Sequence, residues 1–134
     1  MTGRRGEHLV SAFLYSIDWQ CNLVDALGYD LIATQGPKII RVQVKSSTRP
    51  ITERGKTVPR YTYNTGHGGA KSIERLDDQY DVLALCGLRD RGITFYPVTE
   101  VTTKTIRIKP EEFGSDDTLA RHRWSQAIKI LEER

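Results

Sequence analysis

Three polar side chains near one turn have the types and spacing needed to hold a hard cation beside a basic group. Asp30 precedes the turn residues Gly36-Pro37, and Gln43 and Lys45 follow them. If Gly36-Pro37 is the two-residue loop of a β-hairpin, pairing outward from that loop places Asp30 opposite Gln43, with facing side chains about 5 Å apart. Since alternate residues of a strand point to one face, Gln43 and Lys45 should lie on the same face.

A fourth polar side chain, Glu7, falls on the predicted core-facing side of an N-terminal helix at residues 3–18. The apolar stripe of this helix has i, i+3, i+4, i+7 spacing and consists of Val10, Phe13, Leu14 and Ile17. Such spacing is typical of an amphipathic helix. One step back along the stripe reaches Glu7, so a carboxylate continues the buried line.

These four side chains suit metal-assisted hydrolysis of a phosphodiester. Mg²⁺ prefers oxygen ligands and retains several waters. Asp30 can supply one ligand, and the amide oxygen of Gln43 or the backbone carbonyl of Val44 can supply others. Lys45 can orient the attacking water and offset the charge that builds up on the phosphorane. Glu7 could bind the metal, directly or through water, or hold the nucleophile.

Each of these residues also has a structural interpretation. Asp30 could brace the turn that enters the hairpin. Gln43 and Lys45 could belong to an exposed strand face, although lysine is a poor strand former. Glu7 could complement the helix dipole in its first turn.

The remaining elements follow from hydrophobic patterning. The predicted extended segments and strands are residues 19–24, 29–34, 38–47, 60–64, 81–87, 92–98 and 103–108. A short helix is predicted at residues 72–79 and a closing helix at residues 119–132. The 81–87 run is almost entirely apolar, which is the pattern of a central strand buried on both faces. The sequence therefore predicts an α/β fold with a mixed central sheet flanked by helices.

Length and composition indicate one soluble domain over residues 1–134. The chain is 38% hydrophobic and 28% charged, and no apolar run approaches the roughly 18 residues of a membrane span. Cys21 and Cys86 are isolated in the sequence and are predicted to be reduced core thiols of a cytoplasmic protein.

Positive charge is concentrated around the hairpin and the loop after it. Residues 38–60 hold seven basic residues and one acid, Glu53, although the whole chain carries only +3. This asymmetry favours a polyanionic partner, and a solvated basic loop is the alternative. The predicted DNA-binding residues are Arg41, Ser46, Ser47, Arg49, Arg54, Lys56, Arg60, Tyr63 and His67.

The order Glu7, Asp30, then Gln43-Val44-Lys45 resembles the PD-(D/E)XK nuclease superfamily. The likeness is strongest to its QxK branch, the small group I intron homing endonucleases of cyanobacteria. Further similar segments are Gly6-Glu7, Ser46-Ser47, the YDLIA at residues 29–33, the YDVLA at residues 80–84 and the FYPV at residues 95–98. The resemblance covers roughly residues 3–130.

The resemblance implies a restriction-endonuclease-like core and a Mg²⁺-dependent endodeoxyribonuclease, with Mn²⁺ as a possible substitute. It implies Glu7, Asp30, Gln43 and Lys45 as catalytic residues, and Glu7, Asp30, Gln43 and Val44 as metal ligands. The expected partner is double-stranded or branched DNA. The expected assembly is a homo-oligomer, a dimer or tetramer, in the cytoplasm of a bacterial, archaeal or phage-infected cell.

Gln43 departs from the acid that most members of the superfamily carry there. A neutral amide still offers an oxygen, but the loss of one negative charge should weaken metal affinity. Site-specific homing is the expected role. The alternatives are a Holliday junction resolvase, which shares the early Glu, the Asp and a similar ExK-Ser-Ser ending, or a DNA-binding module with little catalytic activity.

Overall fold

The chain begins with a long helix, which is followed by three antiparallel strands. The computed structural model describes residues 2–26, 28–66 and 79–134. The helices are α1 at Thr2–Ser16 and α2 at Thr118–Glu132. The strands are β1 Gln20–Ala26, β2 Tyr29–Gln35, β3 Lys38–Ser47, β4 Tyr61–Asn64, β5 Val82–Gly87, β6 Gly92–Pro97 and β7 Thr105–Ile108, and short 3₁₀ turns occupy Val98–Glu100 and Pro110–Phe113.

Five of these strands form one mixed sheet in the order β1-β2-β3-β5-β6. β3 and β5 run parallel, and the other neighbours are antiparallel. The β2–β3 hairpin has the predicted register, with Gln35 opposite Lys38 and Leu31 opposite Val42. Gly36 has φ +59°, which a two-residue loop with Gly before Pro requires.

The five-stranded sheet separates two apolar cores. On one face, α1 and α2 pack against alternate residues of β3, β5 and β6, with Phe13 and Trp124 both in ring contact with Phe95. On the other face, Leu83 and Leu85 of β5 pack in a second core. All six residues of β5 are buried, so the prediction of a strand covered on both faces is confirmed.

The second core is covered by a separate two-stranded sheet, in which β4 pairs antiparallel with β7. Residues 103–108 were expected at an edge, and the strand there, Thr105–Ile108, pairs with β4. The predicted short helix at residues 72–79 falls almost wholly outside the described residues. The predicted α/β fold with a mixed sheet and flanking helices is confirmed.

Two further predictions concern membranes and thiols. Within the described ranges, neither helix combines the length and apolar character needed to cross a membrane. Cys21 and Cys86 are free and buried, as expected. Burial raises the pKa of the Cys21 thiol to about 11 and that of Cys86 to about 12.

Candidate functional site

The candidate site lies where β2 and β3 separate. Backbone pairing between the two strands runs from the turn to Leu31 opposite Val42. Beyond this pair, the Val44 N–H donates to Asp30 Oδ2 at 2.8 Å, and Gln43 Nε2 lies 3.5 Å from the same oxygen. A carboxylate thus replaces the carbonyl that a continuing strand would have offered to Val44. The structure brings Asp30, Gln43 and Val44 together as predicted.

The second carboxylate oxygen of Asp30 is left for another ligand. Among the residues that the structure describes, Oδ1 accepts no hydrogen bond, and no Lys, Arg or His forms an ion pair with Asp30. The side chain is half-buried. A partly desolvated carboxylate with a negative charge that no neighbouring cation balances is a suitable ligand for a metal ion.

The Val44 carbonyl points toward the same side as Asp30. At Arg41, the backbone of β3 faces β5, since the Arg41 carbonyl accepts from Asp81 N–H at 2.9 Å. Even-numbered residues of the strand therefore direct their N–H and C=O toward β2. The Val44 N–H does so in its bond to Asp30. Its carbonyl lies on the same side, where the sequence predicted a neutral oxygen donor.

Gln43 and Lys45 share the other face of β3. In this strand Ile40, Val42 and Val44 are buried, whereas Gln43 and Lys45 are half-buried, so the predicted alternation is confirmed. Lys45 has no carboxylate partner within the described part of the chain. Its ammonium group therefore adds positive charge on the face that carries the Gln43 amide.

The first turns of α1 lie against the carboxyl-terminal half of β3. A Cβ added at Gly6 would be 1.9 Å from Ser46 Oγ and 3.3 Å from Val44 Cγ1. This close approach fixes the neighbouring residue, Glu7, near β3. Glu7 is only 14% exposed in its side chain and pairs with Arg4 Nη1 at 3.0 Å. A carboxylate at the end of the buried stripe is therefore observed, and its distance from Asp30 stays a prediction.

Part of the predicted basic cluster is neutralised by acidic side chains, most of which lie far away in the sequence. Lys38 pairs with Glu132 at 2.9 Å, and Arg60 lies 3.5 Å from a Glu53 oxygen. Arg41 is bound more tightly, because Asp81 accepts from its backbone N–H at 2.8 Å and from its guanidinium at 3.1 and 3.2 Å. No role was predicted for Asp81 from the sequence, although its place just before the β5 apolar run could have indicated one.

The other predicted DNA-binding residues lie in different environments. Arg49, Arg54 and Lys56 are exposed in the loop after β3, and Ser47 is half-buried. Ser46 Oγ and the Tyr63 hydroxyl are buried with no hydrogen-bond partner among the described residues. Burial raises the pKa of Tyr63 well above its usual range. His67 lies outside the described residues.

The donor set at Asp30 fits a hard, strongly hydrated cation. No group of three His, Cys, Asp or Glu side chains in the described ranges could hold a metal by itself. Asp30 Oδ1, the Gln43 amide oxygen and the Val44 carbonyl oxygen together carry one formal negative charge. Mg²⁺ binds such partial sets through one or two carboxylates, with water and substrate phosphate completing the coordination.

Comparison with known proteins supports the fold. No protein-family model and no curated protein matches the sequence. Among solved structures, the bacterial homing endonuclease I-Ssp6803I is similar, with 19% identity and a TM-score of 0.63 over 98% of this chain and 95% of that one. Hjc, a Holliday junction resolvase of Archaeoglobus fulgidus, gives 18% identity and a TM-score of 0.49 over 83% and 85% of the two chains. The likeness to I-Ssp6803I confirms the predicted nuclease-type fold.

Proposed function

We propose that this chain is a Mg²⁺-dependent DNA endonuclease of the site-specific homing type. The observation that carries the proposal is the Asp30 carboxylate at the divergence of β2 and β3, with Gln43 and Val44 in contact with it and Lys45 on the same face of β3 as Gln43. The fold shared with I-Ssp6803I, which is itself a homing endonuclease, supports the same function. The product expected from the superfamily resemblance is a 5′-phosphate and a 3′-hydroxyl.

The residues of this site have separate roles in the proposed reaction. Asp30 Oδ1, the Gln43 amide oxygen and the Val44 carbonyl would hold the divalent ion. That ion supplies a Lewis acid that polarises the phosphate and makes a bound water more acidic. Lys45 orients the attacking water and offsets the negative charge of the phosphorane, where a fixed ammonium in a partly desolvated site is most effective.

Glu7 completes the site through the open edge of β3. α1 packs on the face of β3 that carries Val44, whereas Gln43 and Lys45 occupy the opposite face. Because β2 no longer pairs with β3 beyond Val42, side chains from the two faces can meet around this edge. In this position Glu7 supplies the second negative charge that Gln43 does not provide.

DNA would approach from the side of the loop after β3. Arg49, Arg54 and Lys56 are exposed there and form no ion pair with any described residue. Basic side chains of this kind contact phosphates and position the duplex without reading its sequence. Each site cuts one strand, so cleavage of both strands calls for a homo-oligomer, a dimer or tetramer.

Cleavage of supercoiled plasmid with Mg²⁺ or Mn²⁺ tests the proposal. Asp30→Asn keeps an oxygen that accepts from Val44 N–H but removes the charge, so we expect nicking to fall at least about 100-fold. Lys45→Ala should cause a similar loss. Lys129→Ala, which removes one exposed charge from α2, is the matched control and should cut like the wild type.

Metal binding provides a readout independent of cleavage. Calorimetric titration with Mn²⁺ should give weaker binding to Asp30→Asn than to the wild type, and unchanged binding to Lys129→Ala. Nicking that persists in Asp30→Asn would refute the assigned site. A wild-type protein that binds DNA but cuts none with either metal would instead be a binding module, and cutting confined to a four-way junction would identify a resolvase.

A further inference from the structure

A second basic surface lies between α1 and the turn that joins β5 to β6. A cleft of about 520 Å³ opens there, with Leu9 and Leu88 among its apolar lining residues. Its basic lining residues are Arg5, His8, Arg89 and Arg91. We call these four side chains and the space between them the basic cleft. None of the four belongs to the Glu7, Asp30, Gln43-Val44-Lys45 motif or to the basic segment at residues 38–60.

Positive charge dominates the basic cleft. No carboxylate lines it, and Arg5, His8 and Arg91 form no ion pair within the described residues. Arg89 pairs with Asp90 at 3.2 Å, but its side chain remains 57% exposed, and Asp90 also accepts from the Tyr61 hydroxyl. Cationic side chains around a concave, partly apolar surface focus the electrostatic potential and attract a polyanion.

Arg91 occupies a backbone position that favours glycine. Its φ is +54°, in the left-handed region that side chains other than Gly, Asn or Asp rarely adopt. A glycine would fit this turn with less strain, yet the chain has an arginine there, which is one of the residues that line the basic cleft. The positive φ also makes this position suitable for mutation, since glycine adopts it readily and Arg91→Gly removes the charge without straining the turn.

The basic cleft is joined by backbone hydrogen bonds to the end of β3 that carries the proposed active site. The β5–β6 turn is hydrogen-bonded to the end of β3. The Leu88 N–H donates to the Ser47 carbonyl at 2.9 Å, and the Arg89 N–H donates to the Thr48 carbonyl at 3.0 Å. Ser47 is two residues after Lys45, and Gly6, which follows Arg5, packs on Ser46. The basic cleft and Lys45 therefore lie at the same end of the sheet, and Arg49 begins the exposed basic loop beside them.

We infer that the basic cleft binds the phosphate backbone of the duplex that flanks the scissile phosphate. This inference rests on the proposed endonuclease function and extends its DNA contact surface to α1 and the β5–β6 turn. Guanidinium groups match phosphate oxygens in a bidentate geometry, and each contact releases condensed counterions. Contact with the backbone carries no sequence information, so the cleft should strengthen binding to any duplex equally.

Fluorescence anisotropy with a labelled duplex of arbitrary sequence tests the inference. The full chain carrying Asp30→Asn is titrated in EDTA, so that no cleavage disturbs the measurement. Arg91→Gly and Arg5→Ala should each raise Kd about tenfold at 0.1 M salt. Each should also reduce the magnitude of the negative slope of log K against log[salt] by about 0.9. The double variant should lose about 100-fold and about 1.8 in slope.

Lys129→Ala is again the matched control, because Lys129 lies beside Lys38, at the opposite end of β3 from Lys45. It should leave Kd and slope nearly unchanged, and thermal melts should show all variants folded. Folded cleft variants that bind with the same Kd and slope as the Asp30→Asn parent would overturn the inference, even if the wild type cuts DNA. Cleft-dependent binding by a wild type that never cuts would uphold the cleft and reject the endonuclease. Absence of DNA binding by the wild type would reject both.

Discussion

Gly6→Ala tests how closely α1 must approach β3. The added methyl would lie 1.9 Å from Ser46 Oγ, whereas the next contacts, Ser46 Cβ and Val44 Cγ1, are 3.2 and 3.3 Å away. Overpacking of this kind costs about 1–3 kcal/mol. Replacing Gly by Ala within a helix stabilises the folded state by about 1 kcal/mol. We therefore expect the single variant to lose about 1 kcal/mol of unfolding free energy and to shift Glu7 away from the site.

The same geometry predicts that a second mutation restores stability. Ser46→Ala removes the clashing oxygen, which is itself buried without a hydrogen-bond partner in the described residues. In Gly6→Ala/Ser46→Ala the nearest contacts become those at 3.2 and 3.3 Å, which are tight but tolerable. The double variant should be at least as stable as the wild type, so the coupling energy of the two mutations should be about 2 kcal/mol.

Urea unfolding of the four proteins measures this coupling, and plasmid nicking by the same samples reports on Glu7. Nicking should fall in Gly6→Ala and recover in the double variant. Ser46→Ala alone should be neutral or stabilising, because it removes an unsatisfied hydroxyl. Additive effects of the two mutations would refute the close contact. Recovered stability without recovered nicking would refute the placement of Glu7.

Three other predictions concern buried groups. Burial raises the pKa of the Cys86 thiol from 9.0 to about 12, so the unfolded chain loses this proton at a lower pH than the folded chain. The unfolding free energy should therefore fall above pH 9, by about 1 kcal/mol per pH unit. Urea titrations at about pH 8 and pH 10 would show this fall in the wild type and a smaller fall in Cys86→Ala. A fall of equal size in the two proteins would contradict the assignment of the effect to Cys86. Tyr80→Phe removes a buried hydroxyl without a described partner and should raise the unfolding free energy by about 1 kcal/mol, whereas a loss would reveal a bonding partner. Asp81→Asn should cost about 2 kcal/mol in the same assay, since it weakens charged hydrogen bonds to Arg41, and an unchanged midpoint would contradict that role.

The β2–β3 hairpin was predictable because its determinants are local. Gly36-Pro37 specifies the turn, and the alternation of Ile40, Val42 and Val44 specifies which face is buried. The register from Gln35 opposite Lys38 to Leu31 opposite Val42 then followed from the turn, and it brings the Asp30 and Gln43 side chains close together. A cluster of side chains built around one tight turn can therefore be predicted from sequence.

Charge balance was not predictable, because the partners lie far apart in the chain. Lys38 pairs with Glu132, and Arg41 with Asp81. Counting charges along residues 38–60 therefore overstated the free positive charge of that segment. The partner of β7 was missed for the same reason, since the strand pairs with β4 about forty residues earlier in the chain. Only the folded chain shows which distant groups meet.

Two aspartates extend the backbone pairing of β3, and their surroundings differ in a way that separates structure from function. Asp81 accepts the Arg41 N–H where β5 has not yet begun, and Arg41 and Arg134 balance its charge. Asp30 accepts the Val44 N–H where the pairing of β2 with β3 has ended, but no described cation balances its charge. If both were only strand extenders, selection for stability would favour a partner for each, because an uncompensated, half-buried carboxylate opposes folding. The charge left open at Asp30 therefore supports the cation site that we propose there. On that proposal, Asp30→Asn should stabilise the metal-free protein while lowering cleavage at least about 100-fold.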